Sequence, residues 1–173
     1  MIDAPEKPNT SRAHSETVRL VLPYPISANR YWRPVQIRDK RTGKYRSQNV
    51  TTKEAKAYID ECGWRARTAG LHKPTPERIA VHLALHPARP QDWERRARKD
   101  PERWDDTVRC MDLGNCEKVA MDALNGIAWV DDKQIWDMHL VRGEPVENGS
   151  LVVTIRVIER ADLLGHDLME LRR

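Results

Sequence analysis

Two hydrophobic rhythms alternate along the chain. Thr17 to Leu22 interleaves polar and apolar positions and is rich in β-branched residues, which predicts a strand stopped by Pro23 and Pro25. Thr51 followed by Glu54 has capping-box spacing and predicts a helix start. Ala55, Ile59, Cys62 and Ala66 then recur at helical spacing as its buried stripe, and Gly70 ends it. Arg78 to His86 returns to period two, with Val81, Leu83 and Leu85 on one face and His82 and His86 on the other. Asn115 to Leu124 reads as a helix whose apolar face is Cys116, Val119, Ala120, Ala123 and Leu124. Asn125-Gly126 closes it as a left-handed C-cap would. Lys133 to Arg142 and Leu151 to Ile158 are predicted strands, separated by a turn over Gly143 to Gly149. The expected fold class is α/β in the broad sense (α+β): a mixed β-sheet with packed helices in a single domain.

Four stretches carry little periodicity. Residues 23–50 are predicted as a long basic loop with a hairpin turning at Thr42-Gly43. Residues 87–110 hold seven basic and six acidic residues and are predicted as a flexible insertion beside the site. Residues 1–16 are polar with two prolines, a flexible N-terminal tail. Residues 161–173 form a C-terminal tail or short helix, leaving 17–160 as the folded domain.

Composition narrows the class. A chain of 173 residues suits one domain with one core. It contains no Phe, so its six Trp supply much of the aromatic bulk. No apolar run approaches the ~20 residues needed to cross a bilayer. The N-terminus lacks the apolar segment of a secretory signal. A cytoplasmic protein with no membrane partner is expected. Cys62, Cys110 and Cys116 make neither a disulfide framework nor a zinc motif and read as bland thiols. His82 and His86 share a strand face but stand ~13 Å apart, too far to share an ion.

Charge adds a direction. Between Arg30 and Arg46 there are seven basic residues and one acid, Asp39, an excess larger than the whole net charge of +4. That is the footprint of a polyanion contact, and a solvated surface loop is the competing reading. Tyr24, Tyr31, Trp32 and Tyr45 lie in or beside this run. Aromatics placed so stack on unpaired bases or anchor the loop to the core.

The densest chemistry runs from Asp112 to Asp132. It reads Asp112-Leu113-Gly114-Asn115, Lys118, Asp122-Ala123-Leu124, Trp129 and Asp131-Asp132. Carboxylates at both ends with a lysine between them suit a hard divalent metal beside a phosphate. For Asp112 and Asp132 to meet, the chain must reverse after the helix, and Asn125-Gly126 supplies the reversal. Lys118 would touch the scissile phosphate or the leaving oxygen, or else pair with Asp122 one turn on.

This segment, with Leu22-Pro23-Tyr24-Pro25-Ile26-Ser27-Ala28-Asn29-Arg30-Tyr31-Trp32, resembles the RusA family of Holliday junction resolvases, phage and prophage endonucleases. Order and spacing agree from about Val18 to Ile158. The resemblance implies a mixed sheet with packed helices, a homodimer, and a bacterial cytoplasmic setting of phage or prophage origin. It implies a structure-selective endodeoxyribonuclease that resolves branched DNA by symmetric strand cleavage with Mg²⁺ or Mn²⁺, in DNA recombination and repair. The family's metal-binding or catalytic acids fall on Asp112, Gly114 and Asp132, and its lysine on Lys118. Asn29, Arg30, Arg33, Lys40, Arg41, Lys44 and Arg46 are the expected DNA contacts.

Gly114 departs from the pattern and brings no ligand. Glu117 from the helix start, Asp105 or Asp106 from the insertion, Asp131, or a water are the candidate substitutes. Glu117 and water are favoured, and Asp131 ranks below Asp132. The alternative is a catalytically weakened protein that binds branched DNA without cutting it.

Overall fold

Alternating burial organises the centre of the molecule. The computed structural model describes residues 17–159. In chain order its elements are β1 (Thr17–Pro23), α1 (Ala28–Tyr31), β2 (Trp32–Arg38), β3 (Tyr45–Thr51), α2 (Lys53–Thr68), β4 (Ile79–His86), α3 (Trp93–Lys99), α4 (Leu113–Leu124), β5 (Ile135–Arg142) and β6 (Ser150–Val157). The main sheet runs β1-β6-β4-β5. β6 pairs antiparallel with β1 and β4, and β4 pairs parallel with β5, so the sheet is mixed. Leu20 and Leu22, Val81, Leu83 and Leu85, and Leu151, Val153 and Ile155 are all buried at alternate positions. Helices α2 and α4 pack against the sheet and each other, closing one core of α+β type. Each such Leu or Val stabilises the fold by about 1.5–3 kcal/mol through burial.

The basic stretch is more ordered than its sequence predicts. β2 and β3 form a second, two-stranded antiparallel sheet from Trp32↔Thr51 to Arg38↔Tyr45. Its turn is closed by Asp39, whose N–H donates to the Lys44 carbonyl at 2.8 Å and whose carboxylate accepts from the Arg41 and Thr42 amides. Gly43 supplies the left-handed residue at φ +72°. The hairpin expected at Thr42-Gly43 is therefore present, but its strands occupy much of the expected loop. β3 is exposed along most of its length, so no burial pattern marks it in the sequence.

The start of α2 is shifted by one residue. Thr51 is the last rung of the hairpin, and Thr52 is the cap. The Thr52 hydroxyl accepts from the Ala55 amide at 3.2 Å and donates to the Arg30 carbonyl at 2.7 Å. The buried stripe of α2 includes Tyr58 and Gly63 besides Ala55, Cys62 and Ala66, while Ile59 is half-buried. α4 begins at Leu113, before the expected start, because Asp112 caps it. β5 begins at Ile135, after the expected Lys133, because Asp132–Gln134 form a 3-10 turn.

Residues 87–110 are not a structureless loop. They contain α3 and a 3-10 turn at Trp104–Thr107. Arginines fasten them. The Arg142 guanidinium donates to the Asp105 and Val108 carbonyls, and the Arg89 amide donates to the Val146 carbonyl. The Arg89 guanidinium lies 4.4 Å from the centre of the Trp93 ring, which faces Trp104. Contacts of this kind leave no apolar period to read.

His86 bonds through a ring nitrogen to the Glu144 carbonyl, and His82 lies edge-on to His139 across β4 and β5. Cys62 and Cys116 are buried, which pushes both thiols up to about 12. No helix among the described residues is long and apolar enough to cross a membrane. The tails expected at residues 1–16 and 161–173 lie outside the described residues.

Thr52→Ala is expected to cost about 1–2 kcal/mol in urea unfolding, since it removes both a helix cap and the link to α1. Thr51→Ala, by contrast, should change stability by less than about 0.5 kcal/mol, and equal losses would return the cap to Thr51.

Candidate functional site

Helix α4 buries Cys116, Val119, Ala120, Ala123 and Leu124, and this turns its polar residues to one exposed side. Asp112 stands at its N-terminus. One carboxylate oxygen accepts from the Asn115 amide at 2.8 Å, and the other faces the Asn115 side-chain amide. The approach to Asp112 is pinned by Tyr24, whose hydroxyl accepts from the Met111 amide at 2.7 Å and donates to the Cys110 sulfur at 3.8 Å. Gly114 follows in the first helical turn. A Cβ there would meet only the Asp112 Oδ1, at 3.5 Å, and its φ is not positive. Neither space nor backbone conformation demands glycine.

Lys118 is exposed, and its Nζ lies 4.7 Å from the centre of the Trp32 ring. Asp122 follows one turn on. Its carboxyl is pushed above the ordinary carboxylate range, first by burial and then by the charge of Asp132, while Lys118 pulls it down. The electrostatic neighbour of Asp132 is thus Asp122, which stands ~15 Å along the helix axis from Asp112. The chain gets there through Gly126, at φ +75°, whose N–H donates to the Trp129 carbonyl at 2.7 Å. Trp129 is fully buried, and its indole N–H donates to Asp132 Oδ1 at 2.8 Å. A core side chain therefore orients a surface carboxylate.

Asp131 has a different position. It caps the 3-10 turn, accepting from the Lys133 amide while Gln134 reaches back to the Asp131 and Val130 amides. Glu117 is half-buried on α4, and Asp105 and Asp106 sit in the 3-10 turn of the insertion. Tyr31, beneath Trp32, is buried with its hydroxyl unpartnered among the described residues. Burial, reinforced by the charge of Asp122, pushes its phenol up to about 12.

The donor chemistry bears on a divalent cation. Among the described residues no three His, Cys, Asp or Glu side chains converge as a preformed ligand set. A magnesium ion beside a phosphate needs fewer protein ligands, because one or two carboxylates are completed by phosphate oxygens and water. The Asp122–Asp132 pair fits that requirement. Burial and the charge of Asp132 push the Asp122 carboxyl up, and a cation beside it would relieve that repulsion. Lys118 lies one turn before Asp122 on the helix, and Asp112 stands apart at the helix N-terminus.

The expected DNA contacts spread over a neighbouring surface. Asn29 and Arg30 lie on α1, and Arg30 pairs with Glu54 at 2.7 Å. Lys40 and Arg41 occupy the hairpin turn, Lys44 borders it, and Arg33 and Arg46 lie on the strands, all exposed. Alternation puts Arg33 and Arg46 on one face of the hairpin and Trp32, Arg38 and Tyr45 on the other. Arg30 and Arg33 line a cleft of about 670 Å³ with Lys53 and Lys56. Those two lysines were not anticipated. The signal for them was the polar first turns of α2 next to the basic run.

A family model described as endodeoxyribonuclease RusA matches residues 23–157, which span the hairpin, α4 and both aspartate segments. The chain belongs to the RusA family. It is 29% identical over 144 residues to a crossover junction endodeoxyribonuclease RusA of Escherichia coli K12, covering 80% of this chain and 93% of that one. A Shigella sonnei RusA is 30% identical and a RusA of Enterobacteria phage 82 is 28% identical, with the same coverage.

The raised Asp122 carboxyl sets a pH signature. Between its unfolded and folded pKa the native chain binds more protons than the unfolded chain, so stability falls as pH rises through that window and stays lower above it. Asp122→Asn should therefore raise the thermal midpoint at pH 7, with the gain vanishing by about pH 3, below the ordinary carboxylate range. A gain that is the same at both pH values would mean that Asp122 is not strained by charge.

Proposed function

We propose that this RusA-family chain is a structure-selective endodeoxyribonuclease that resolves Holliday junctions. The observation that carries the reading is Lys118 over the Trp32 ring at the base of a basic hairpin, with the charges of Lys118 and Asp132 both acting on Asp122. The curated relatives, named crossover junction endodeoxyribonucleases, support the substrate. In this reading the hairpin and the Arg30–Lys56 cleft hold phosphates, and the Lys118 ammonium sits where a scissile phosphate would place its oxygens. Asp132 and Asp122 would hold Mg²⁺ or Mn²⁺, with Asp112 at the opposite end of α4 outside that pair. The metal would supply water activation and charge stabilisation at the phosphoryl group. The Trp129 indole would orient Asp132 in that role through its bond to Oδ1. A homodimer in the bacterial cytoplasm would set two such sites on a nearly twofold substrate and cut symmetric strands.

Gly114 favours a second reading, a branched-DNA binder with weakened catalysis, because the helix start offers one carboxylate where the family pattern places two. The two readings separate in one assay. Wild type, Asp132→Asn and Lys118→Ala are incubated with a synthetic four-way junction and Mg²⁺, and strand nicking and gel-shift binding are measured. The nuclease reading expects wild-type nicking that falls at least about a hundredfold in Asp132→Asn, on the scale of a lost transition-state contact, with binding retained. Binding without nicking, and nicking gained in Gly114→Asp, would establish the second reading.

Junction affinity should also fall roughly a thousandfold between 50 and 200 mM salt if about six phosphates are engaged. Arg33→Ala should lower the salt slope by about one.

A further inference from the structure

We infer that Trp32 is the positioning residue for Lys118, holding its ammonium in place from the base of the DNA-contact hairpin. The inference rests on the reading of Lys118 as a phosphate-facing group, and it adds what fixes that group.

Lysine carries its charge on a flexible four-carbon stem, so an exposed lysine has no defined ammonium position unless something local holds it. Among the described residues no carboxylate forms an ion pair with Lys118. Asp122 feels its charge from one turn away without closing on it. The indole face of Trp32, with its centre 4.7 Å from Nζ, is the short-range contact that locates the cation.

Trp32 is itself immobilised from two directions. Its backbone forms the first rung of the hairpin, opposite Thr51. Its ring packs against the Tyr31 ring, with centroids 4.4 Å apart, and Tyr31 is 2% exposed. A fixed ring thus fixes a mobile cation.

The chemistry of the contact matters as much as its position. A carboxylate partner would occupy the N–H donors of the ammonium and cancel its charge. An aromatic face attracts the cation through its quadrupole and leaves donors free for a phosphate oxygen. The same residue starts β2, the strand that leads to Arg33 and Arg38. Hairpin and lysine are therefore linked through one side chain.

The test compares full-length wild type, Trp32→Leu, Trp32→Phe and Lys118→Ala, with the double variant Trp32→Leu/Lys118→Ala. Junction cleavage is measured under single turnover across pH, and the Lys118 Cε protons are followed by NMR. The expected result is a two- to fivefold loss of the saturating single-turnover rate constant in Trp32→Leu, the scale of an exposed cation–π contact, with the half-saturating concentration unchanged within about twofold. Trp32→Phe should recover most of it. The Lys118→Ala background should show no further loss on adding Trp32→Leu. The Lys118 Cε protons should be shifted upfield by the indole ring current in wild type, and the shift should vanish in Trp32→Leu.

Equal losses from Trp32→Leu with and without Lys118 would overturn the inference, as would Lys118 protons at their random-coil position in wild type. If Trp32→Leu fails to fold, Trp32→Phe and the wild-type spectrum carry the same decision. A wild-type chain that never nicks a junction would end the nuclease reading alone. Upfield Lys118 protons in that chain, restored towards random coil by substitution of Trp32, would still establish the positioning.

Discussion

A helix that packs on a sheet can bury only one face, and in α4 that limit decides where the helix's own chemical groups stand. Cys116, Val119, Ala120, Ala123 and Leu124 must point into the core, because together they close the layer over β4 and β5. Lys118 and Asp122 are then left on the exposed side, while Asp112 stands at the N-terminus as the helix cap. The sequence of apolar residues thus determines the position of the polar ones. The reversal through Gly126 brings a further acid, Asp132, to the far end of the same helix.

The second surface is built on a different principle. The hairpin of β2 and β3 contributes little to the core, and its stability comes from its ladder, from the Asp39 turn and from the aromatic pair at its base. A basic strand pair with little buried surface can carry many charges, because none of them has to be desolvated. Its base is where that freedom ends. There Tyr31 enters the core, Thr52 ties α2 to α1, and Trp32 meets α4.

Much of this was legible in the sequence. The period-two runs at Thr17–Leu22, Arg78–His86 and Leu151–Ile158 became strands within a residue or two, because both their burial and their β-branched character act locally. The helix at 115–124 was equally plain, but Gly126 serves a type II turn after extended Asn125 and does not cap the helix itself, since its N–H bonds to Trp129. The 87–110 segment was not, since arginine-to-carbonyl and arginine-to-indole contacts leave no hydrophobic period. The cap at Thr52 rather than Thr51 was hidden because the hairpin, a long-range pairing, claims Thr51 first. In the site, the residue types could be read, but their neighbours could not. The charge of Asp132 acting on Asp122, and Lys118 resting on Trp32, depend on how separate elements dock.

The bond from the Trp129 indole to Asp132 leaves the two oxygens of that carboxylate unequal. Oδ1 already accepts one bond from the protein interior, while Oδ2 has both lone pairs open to a visitor from solvent. An arriving positive group is therefore met first by Oδ2. Two-toothed chelation would make Oδ1 share itself between the newcomer and the most buried aromatic of the fold.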